Sequence, residues 1–371
     1  MVFKFKKLNT KKKGCPFILT TYKTIIIGAG QAGLAMGYHL QLKQEPFQII
    51  DAHLNIGDSW RLRYDSLKLF TPRSHSSLPG LKMSGKQSGY PTKDEVAHYL
   101  QEYQHKFKLP VDLNNTIKSM VKVNEEFVIK TAEGKEFRCL NVIIATGPFQ
   151  VPYIPAFHKK LSPSINQLHT ENYKNPSSLQ EGDVLIVGGG NSGMQIAVEL
   201  TKENREVKLS LGKKPKFLPY QVLSKSIFWW LSVLGVMRFT INSKIGKKIK
   251  QNDPIVGKEI KPLIQNGSIK TLDRVTDGEG ESVHFNKNIS LEPSNIIWAT
   301  GYKNDYSWIQ PSSEKVFGSN GLPNHVRGVT NEKGLYFIGL SWQYRRGSAL
   351  LLGVGEDAEF IANQVTGGNH I

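Results

Sequence analysis

One pattern limits what this chain can fold into: a run of β-branched residues that stops on three spaced glycines. Thr24-Ile25-Ile26-Ile27 leads directly into Gly28-Ala29-Gly30-Gln31-Ala32-Gly33, and a helical stretch follows to about Leu42. The apolar run reads as a strand buried on both faces. Gly28 permits the tight turn, Gly30 lets the backbone approach a pyrophosphate, and Gly33 lets the helix pack closely on the strand. The unpaired N–H groups of the helix start, with Gln31 in its first turn, suit a phosphate. A second strand, Phe47-Gln48-Ile49-Ile50, ends on Asp51, where a carboxylate can accept from both hydroxyls of a ribose.

The pattern recurs. Asp183-Val184-Leu185-Ile186-Val187 runs into Gly188-Gly189-Gly190-Asn191-Ser192-Gly193, with a helix through Met194 to Leu200 and a strand at Glu206 to Ser210. Here Gly188, Gly190 and Gly193 take the three glycine roles, and Asn191 and Ser192 open the helix. No acid ends the second strand, which continues as Leu211-Gly212-Lys213-Lys214. Lysines attract a 2′-phosphate that a carboxylate would repel, which favours NADPH over NADH at this second cradle; as bare surface charges they would carry no such preference. Two cradles imply two dinucleotides, and electron transfer between a nicotinamide and a flavin is the usual reason for that pairing. The first cradle, with its acid, suits FAD.

The buried strand Val142 to Ala145 exits through Thr146-Gly147-Pro148, after a hairpin at Glu125 to Arg138. The same words return at Ile296-Ile297-Trp298-Ala299-Thr300-Gly301, with the second cradle between them. The expected fold is therefore α/β: two Rossmann-like dinucleotide-binding domains, the NAD(P)H domain inserted into the FAD domain. Residues 21–155 and 292–371 are assigned to the FAD-binding domain and 156–291 to the NAD(P)H-binding domain. The return includes the strand Leu335 to Gly339 and a C-terminal helix beginning near Gly347.

Charge and cysteine content narrow the function classes. The net charge is +17, and six lysines between Lys4 and Lys13 make residues 1–20 a basic, disordered tail by expectation. The apolar piece after it is too short for a signal-peptide core. Cys15 and Cys139 fit no CxxC or zinc spacing, so a reducing cytoplasm is the expected compartment and no metal site is expected. A flavin disulfide reductase needs a redox-active cysteine pair that these two do not supply. The basic stretch Lys244 to Lys250 lacks interleaved aromatics, so nucleic acid is not an expected partner. The segment around Phe228-Trp229-Trp230 reads as a buried interdomain helix, with a tunnel wall or a membrane-surface contact as the weaker readings. A homodimer is left open.

With these residues in place the sequence resembles the class B flavoprotein monooxygenases, the flavin-containing monooxygenases and their Baeyer–Villiger relatives, in particular their short bacterial members. The resemblance spans the chain from Tyr22 onward. It rests on GAGQAG at 28–33, DSWRLRYDSLKLFTP at 58–72, YPTKDEV at 90–96 and IATGP at 144–148. It continues through GGGNSG at 188–193, ATGYKNDYSW at 299–308 and GLYFIGLSWQYRRGSALL at 334–351. The resemblance implies an FAD-dependent, NAD(P)H-consuming enzyme that acts through a flavin 4a-hydroperoxide. Dioxygen is then a co-substrate, and an amine, sulfide or ketone is the acceptor. It places Trp60 and Arg61 near the flavin or its pyrophosphate and Tyr90 near the ring. It also places Thr146, Gly147 and Gly339 at strand ends that face the flavin, with the loop containing Gln343 beside the site.

Two departures weigh on oxygenation. In the family's FxGxxxHxxxY stretch, His169 and Tyr173 fit, whereas Pro163 and Ile165 stand at the Phe and Gly positions. Phe70 occupies the place where the flavin-containing enzymes commonly carry an Asn beside the flavin. Phe70, His169 and Gln343 are the catalytic candidates. The rival functions are an NAD(P)H oxidase or quinone-type reductase and, from another class, a flavin-bearing accessory protein of ion transport or redox sensing.

Overall fold

Each glycine cradle follows an inner strand, flanked by parallel neighbours, of its own sheet. The computed structural model describes residues 19–251, 254–257, 259–311 and 314–367; most of the expected basic tail, and Cys15 within it, lie outside the described residues. In the first sheet, Leu19–Ile27 runs parallel between Phe47–Ile50 and Glu136–Ile144, with Val111–Asp112 beyond Phe47–Ile50. Glu136–Ile144 has two partners on its other side. Its first half pairs antiparallel with Glu126–Thr131, and its second half pairs parallel with Leu335–Phe337. The expected hairpin therefore continues without a break into the strand that exits the domain.

The second sheet is wholly parallel, in the order Ile269–Leu272, Val207–Ser210, Val184–Val187, Asn295–Trp298, Asn166–His169. Sidedness explains its composition. Val184 and Ile186 join the apolar core shared by both halves, while Leu185 and Val187 face a separate cluster around Trp298, Phe285 and Val283. In the first sheet, likewise, Ile26 points into the shared core and Ile25 and Ile27 into a cluster with Phe127 and Phe337. Strands covered on both faces cannot alternate polar and apolar residues, and these do not.

The inserted domain hangs on a two-stranded ribbon. Val151–Pro152, leaving the first domain, pairs antiparallel with Tyr302–Lys303, returning to it. This moves the second boundary. The sequence suggests a return at 292, but Asn295–Trp298 lies inside the second sheet and Ala299 closes over Gly188, so the chain crosses back only at Tyr302. The C-terminal helix differs too. It spans Val354–Gly367 rather than starting near Gly347, because residues 340–353 form successive turns in which Gly353 packs against the Gly347 backbone.

Side-chain bonds fix the two halves to each other. The Tyr64 hydroxyl donates to Gln195 Oε1 at 3.0 Å, and Gln195 Nε2 donates to the Lys68 carbonyl at 2.9 Å. The Asp65 amide donates to the Lys174 carbonyl, and Asn175 Nδ2 donates to Asp65. Residues 62–68 of the first domain thus dock against the helix Asn191–Lys202 and the segment that joins Asn166–His169 to Val184–Val187 in the second sheet.

A buried ion pair joins the returning segment to the first sheet. Lys122 Nζ lies 2.7 Å from Glu332 Oε1, with both side chains under 10% exposed (8% and 5%), and it also donates to the Lys333 carbonyl. Removing one member of such a pair leaves a buried charge. Glu332→Ala is expected to lower the unfolding free energy by about 3–5 kcal/mol, read from the urea midpoint at matched cofactor saturation. A loss below about 1 kcal/mol would mean that the Lys333 carbonyl alone satisfies the ammonium.

Candidate functional site

The two cradles are built alike, down to the atoms that force glycine. Gly28 has φ +112°, and a Cβ there would stand 2.6 Å from the Ala145 carbonyl oxygen; Gly188 has φ +123°, and its Cβ would stand 2.3 Å from the Ala299 carbonyl oxygen. At Gly33 an added Cβ would lie 1.8 Å from the Gly28 oxygen, and at Gly193 it would lie 2.2 Å from the Gly188 oxygen. The alanines of the repeated Ala-Thr-Gly words are therefore the lids under which each turn is made. Gly30 and Gly190, the middle glycines, have no atom within 4 Å of an added Cβ. They cap the helices Gln31–Leu42 and Asn191–Lys202 with no side-chain bond. Both helix starts therefore face open space, with free N–H groups suited to an anion.

Asp51 closes the first cradle. Its Oδ2 accepts from the Ala29 amide at 2.6 Å, and its Oδ1 accepts from the amide and the Nδ1 of His53, each at 2.8 Å. Burial pushes the carboxyl upward, but these bonds outweigh it and hold Asp51 below its ordinary value. Beside it, Asn115 is almost wholly buried. Its Nδ2 donates to the Leu113 carbonyl, and its Oδ1 has no partner. A buried acceptor without a donor is costly unless a ligand supplies one.

A cavity of about 580 Å³ takes its lining both from the first cradle and from the first turn of the second cradle's helix. It is lined by Gly28, Gly30, Gln31, Asp51, Asn115 and Trp60 at one end and by Asn191, Ser192, Gln195 and Glu171 at the other. Between them lie Phe70, Thr146, Gly147, Gly339 and the Ala349–Leu351 turn. Trp60 Nε1 donates to Gln31 Oε1 at 3.2 Å, and Gln31 Nε2 donates to the Ala349 carbonyl, so the helix start, the tryptophan and the C-terminal turn are held as one wall. Gly339 has φ +80°, and a Cβ there would meet Ala32 at 2.8 Å, which keeps this strand end flush with the first cradle.

Several expected residues stand elsewhere. Arg61 does not line the cavity and pairs with Asp58 on its own short helix. Tyr90 packs edge-on against Tyr220, 4.9 Å between ring centres, and donates to the Tyr220 carbonyl. Lys213 and Lys214 are exposed beyond the end of Val207–Ser210. His169 is buried behind the cavity. It accepts from the Glu171 amide at Nδ1, so Nε2 carries the proton and meets the Gly301 carbonyl at 3.0 Å. Burial lowers its pKa, which leaves it neutral, as a linker residue that orients the returning chain. Gln343 is 1% exposed and is spent on the backbone: it donates to the Phe337 and Arg327 carbonyls and accepts from the Leu340 amide.

The sequence reading missed Arg63, Tyr64 and Phe149. Arg63 lines the cavity with its guanidinium over Phe149 and Tyr302, 5.1 and 5.4 Å from the ring centres, and its Nε has no hydrogen-bond partner. Burial pushes the Tyr64 hydroxyl up to about 12, against the lowering effect of Ser192, so it stays a neutral donor to Gln195. No local spacing marks these residues, because they meet the second cradle only once the inserted domain has docked. The segment Phe228 to Trp230 is only partly the buried helix expected. Phe228 is buried and stacked on Phe70 at 6.1 Å, whereas Trp229 is exposed.

The Asp51–His53 pair carries a pH signature. The bond to Asp51 raises the His53 pKa above 6.5, more than partial burial lowers it. A raised value adds stability that is fully present below the unfolded pKa and is lost as pH rises through the folded one. Asp51, with its depressed value, loses its own contribution only at far lower pH. The thermal midpoint of the wild type is thus expected to exceed that of His53→Ala most at about pH 5.5 and to converge with it by about pH 8.5. A gap that is flat across this range would show that His53 acts through packing alone.

Comparison with known proteins places these features. Residues 25–227 match the family model described as pyridine nucleotide-disulphide oxidoreductase. A CzcO-like oxidoreductase of Geobacillus kaustophilus is 54% identical, over 92% of this chain and 97% of its own length. A probable indole-3-pyruvate monooxygenase of Arabidopsis thaliana, YUCCA1, is 27% identical over 94% of this chain and 90% of its own. The structure of a flavin-containing monooxygenase from Stenotrophomonas maltophilia superposes with a TM-score of 0.79 at 24% identity, covering 94% of this chain and 99% of the other. Disulfide chemistry does not follow from the family's description, since Cys139 is fully buried in the first sheet and burial pushes its thiol up. Repeated cradle, shared cavity and relatives agree: the chain belongs to the pyridine nucleotide-disulphide oxidoreductase family, beside the CzcO-like oxidoreductases, and has the two-domain fold of the flavin monooxygenases.

Proposed function

We propose that this protein is an FAD-dependent, NADPH-consuming monooxygenase that transfers one oxygen atom from dioxygen to a small amine, sulfide or ketone. The observation that carries the proposal is a cavity lined both by the first phosphate cradle and by Asn191 and Ser192, which open the helix of the second. Two dinucleotides gripped at its two ends can bring their rings together between them, and hydride transfer needs that proximity and little else from the protein.

The residues present fit the first cofactor. The open space over Gly30 admits a pyrophosphate, Asp51 accepts from ribose hydroxyls, and the orphaned Asn115 Oδ1 offers an acceptor to an adenosine donor. The second cradle offers the same open space at Gly190, with Lys213 and Lys214 exposed past the adjacent strand to favour a 2′-phosphate. If held here, a flavin would supply the redox chemistry, taking reducing equivalents from a nicotinamide and delivering them to dioxygen. Around it Trp60, Leu69, Phe70 and Leu351 would exclude water, and the cation of Arg63, which lines the same cavity, would attract a phosphate-bearing second dinucleotide.

Phe70 supports a second reading. It presents a ring to the cavity, where it can donate no hydrogen bond to an oxygenated species, and it is held there by Phe228. A site with no such donor lets the reduced oxygen leave, which is the chemistry of an NADPH oxidase.

Two measurements bear on these readings. Gly30→Val adds atoms only to open space, so the chain is expected to fold with an unchanged circular dichroism spectrum and to purify without flavin colour. A yellow Gly30→Val protein would remove the phosphate from this position. For the wild type, oxygen consumed, peroxide released and product formed are counted per NADPH over a panel of amines, sulfides and ketones. Oxygenation predicts peroxide well below the oxygen consumed with at least one acceptor. Equal amounts of peroxide and NADPH with every acceptor would establish the oxidase instead.

A further inference from the structure

The segment Gln221 to Leu234 has no role in either cradle, and its geometry is unusual. Gln221–Val222 and Lys225–Ser226 pair as a hairpin whose two turn residues, Leu223 and Ser224, both have positive φ, at +46° and +60°. Such turns favour Asn and Gly, and a leucine there is strained. The strain does not serve burial, since Leu223 is 82% exposed. The helix Ile227–Val233 follows, started by Ser226, whose hydroxyl accepts from the Trp229 amide. Its inward residue, Phe228, is fixed against Phe70, and Trp230 Nε1 donates to the Val222 carbonyl, so helix and hairpin form one unit. Its outward side is apolar: Trp229 is exposed, and so are Val233 and Leu234, at 61% and 67%.

The charges carried by this stretch itself have one sign, although Glu356 of the C-terminal helix lines the same pocket as Ser232 and Arg238. From Val207 to Gln251 the sequence contains no Asp or Glu. Lys225 lies over the Trp229 ring, 5.7 Å from its centre, and Arg238, Lys244 and Lys247 are exposed on the elements that follow. A tip of leucine, valine and tryptophan in a stretch whose own charges are all cationic matches the interface of an anionic bilayer, where apolar side chains enter the acyl boundary and lysines meet the headgroups. A second copy of the chain fits poorly, because a two-fold contact would set these cations against themselves. No helix among the described residues is long and apolar enough to cross a membrane.

We propose that the hairpin and helix Gln221–Leu234 dock the protein onto the surface of an anionic lipid bilayer, with Leu223, Trp229, Val233 and Leu234 entering the interface. This docking does not depend on the redox reading. The test is co-sedimentation of the full-length, flavin-loaded chain with vesicles of phosphatidylglycerol and phosphatidylcholine in equal parts, and with phosphatidylcholine alone.

The wild type is expected to sediment with the anionic vesicles and to stay partly bound when added salt screens the charges. The double variant Leu223→Asp, Val233→Asp is expected to bind at least about tenfold more weakly, with flavin content and circular dichroism unchanged. Because that variant keeps all the lysines before Leu19, it separates this face from the basic N-terminal residues. Three results would overturn the proposal: no sedimentation of the wild type, equal binding by the variant, or a wild-type dimer in solution that the variant converts to monomer.

Discussion

Everything in this molecule depends on how closely a helix can approach the strand that precedes it. At each cradle the third glycine lies against the carbonyl of the first, at a separation that no side chain would permit. The first glycine in turn presses its side-chain position against an alanine carbonyl from the neighbouring strand. The interlock sets the direction of the helix and leaves its first N–H groups facing outward into the cavity. A looser fit would turn the helix axis and misdirect the positive end of its dipole. The site is thus produced by backbone packing, and few side chains are required to shape it.

Duplication of this interlock explains the domain plan. Ala145 and Ala299 end equivalent strands, each followed by a glycine in the left-handed region. The ribbon of Val151–Pro152 and Tyr302–Lys303 then lets one unit be inserted into the other while both chain passages remain adjacent. His169 braces the ribbon through the Gly301 carbonyl, and Tyr302 carries the contact on to Arg63. The His-containing linker stretch is best understood as the mount of the second domain, and its position in the sequence does not make it an acid or base.

Both cradles, their strands and their helices were legible in the sequence because the constraints are local: an apolar strand running into three spaced glycines, with an acid a few turns on at the first cradle. The nested order was legible from the repeated Ala-Thr-Gly words. The return boundary was misread because Asn295–Trp298 belongs to a sheet whose other strands lie far back in the chain, and register across such distances leaves no periodic trace. The cavity wall was the least legible part. Arg63, Tyr64 and Gln195 meet through the docking of two domains. Gln343 sits in a loop beside the site, yet its amide is consumed by three backbone partners. Sequence proximity to a strand end identified the loop, but it could not show which side chains turn away.

The burial of Cys139 has a further consequence if, as proposed, the protein hands electrons to oxygen. Any leak at the cavity exposes the chain first to its own peroxide, and thiolates are the groups that peroxide oxidises most readily. Cys139 lies within the sheet between Phe127 and Tyr22, fully shielded, with its proton held by burial. Among the described residues no other thiol exists. Within the described residues, therefore, no thiol stands open to such a leak, and a methionine such as Met237, which lines a surface pocket, is the more accessible sulfur.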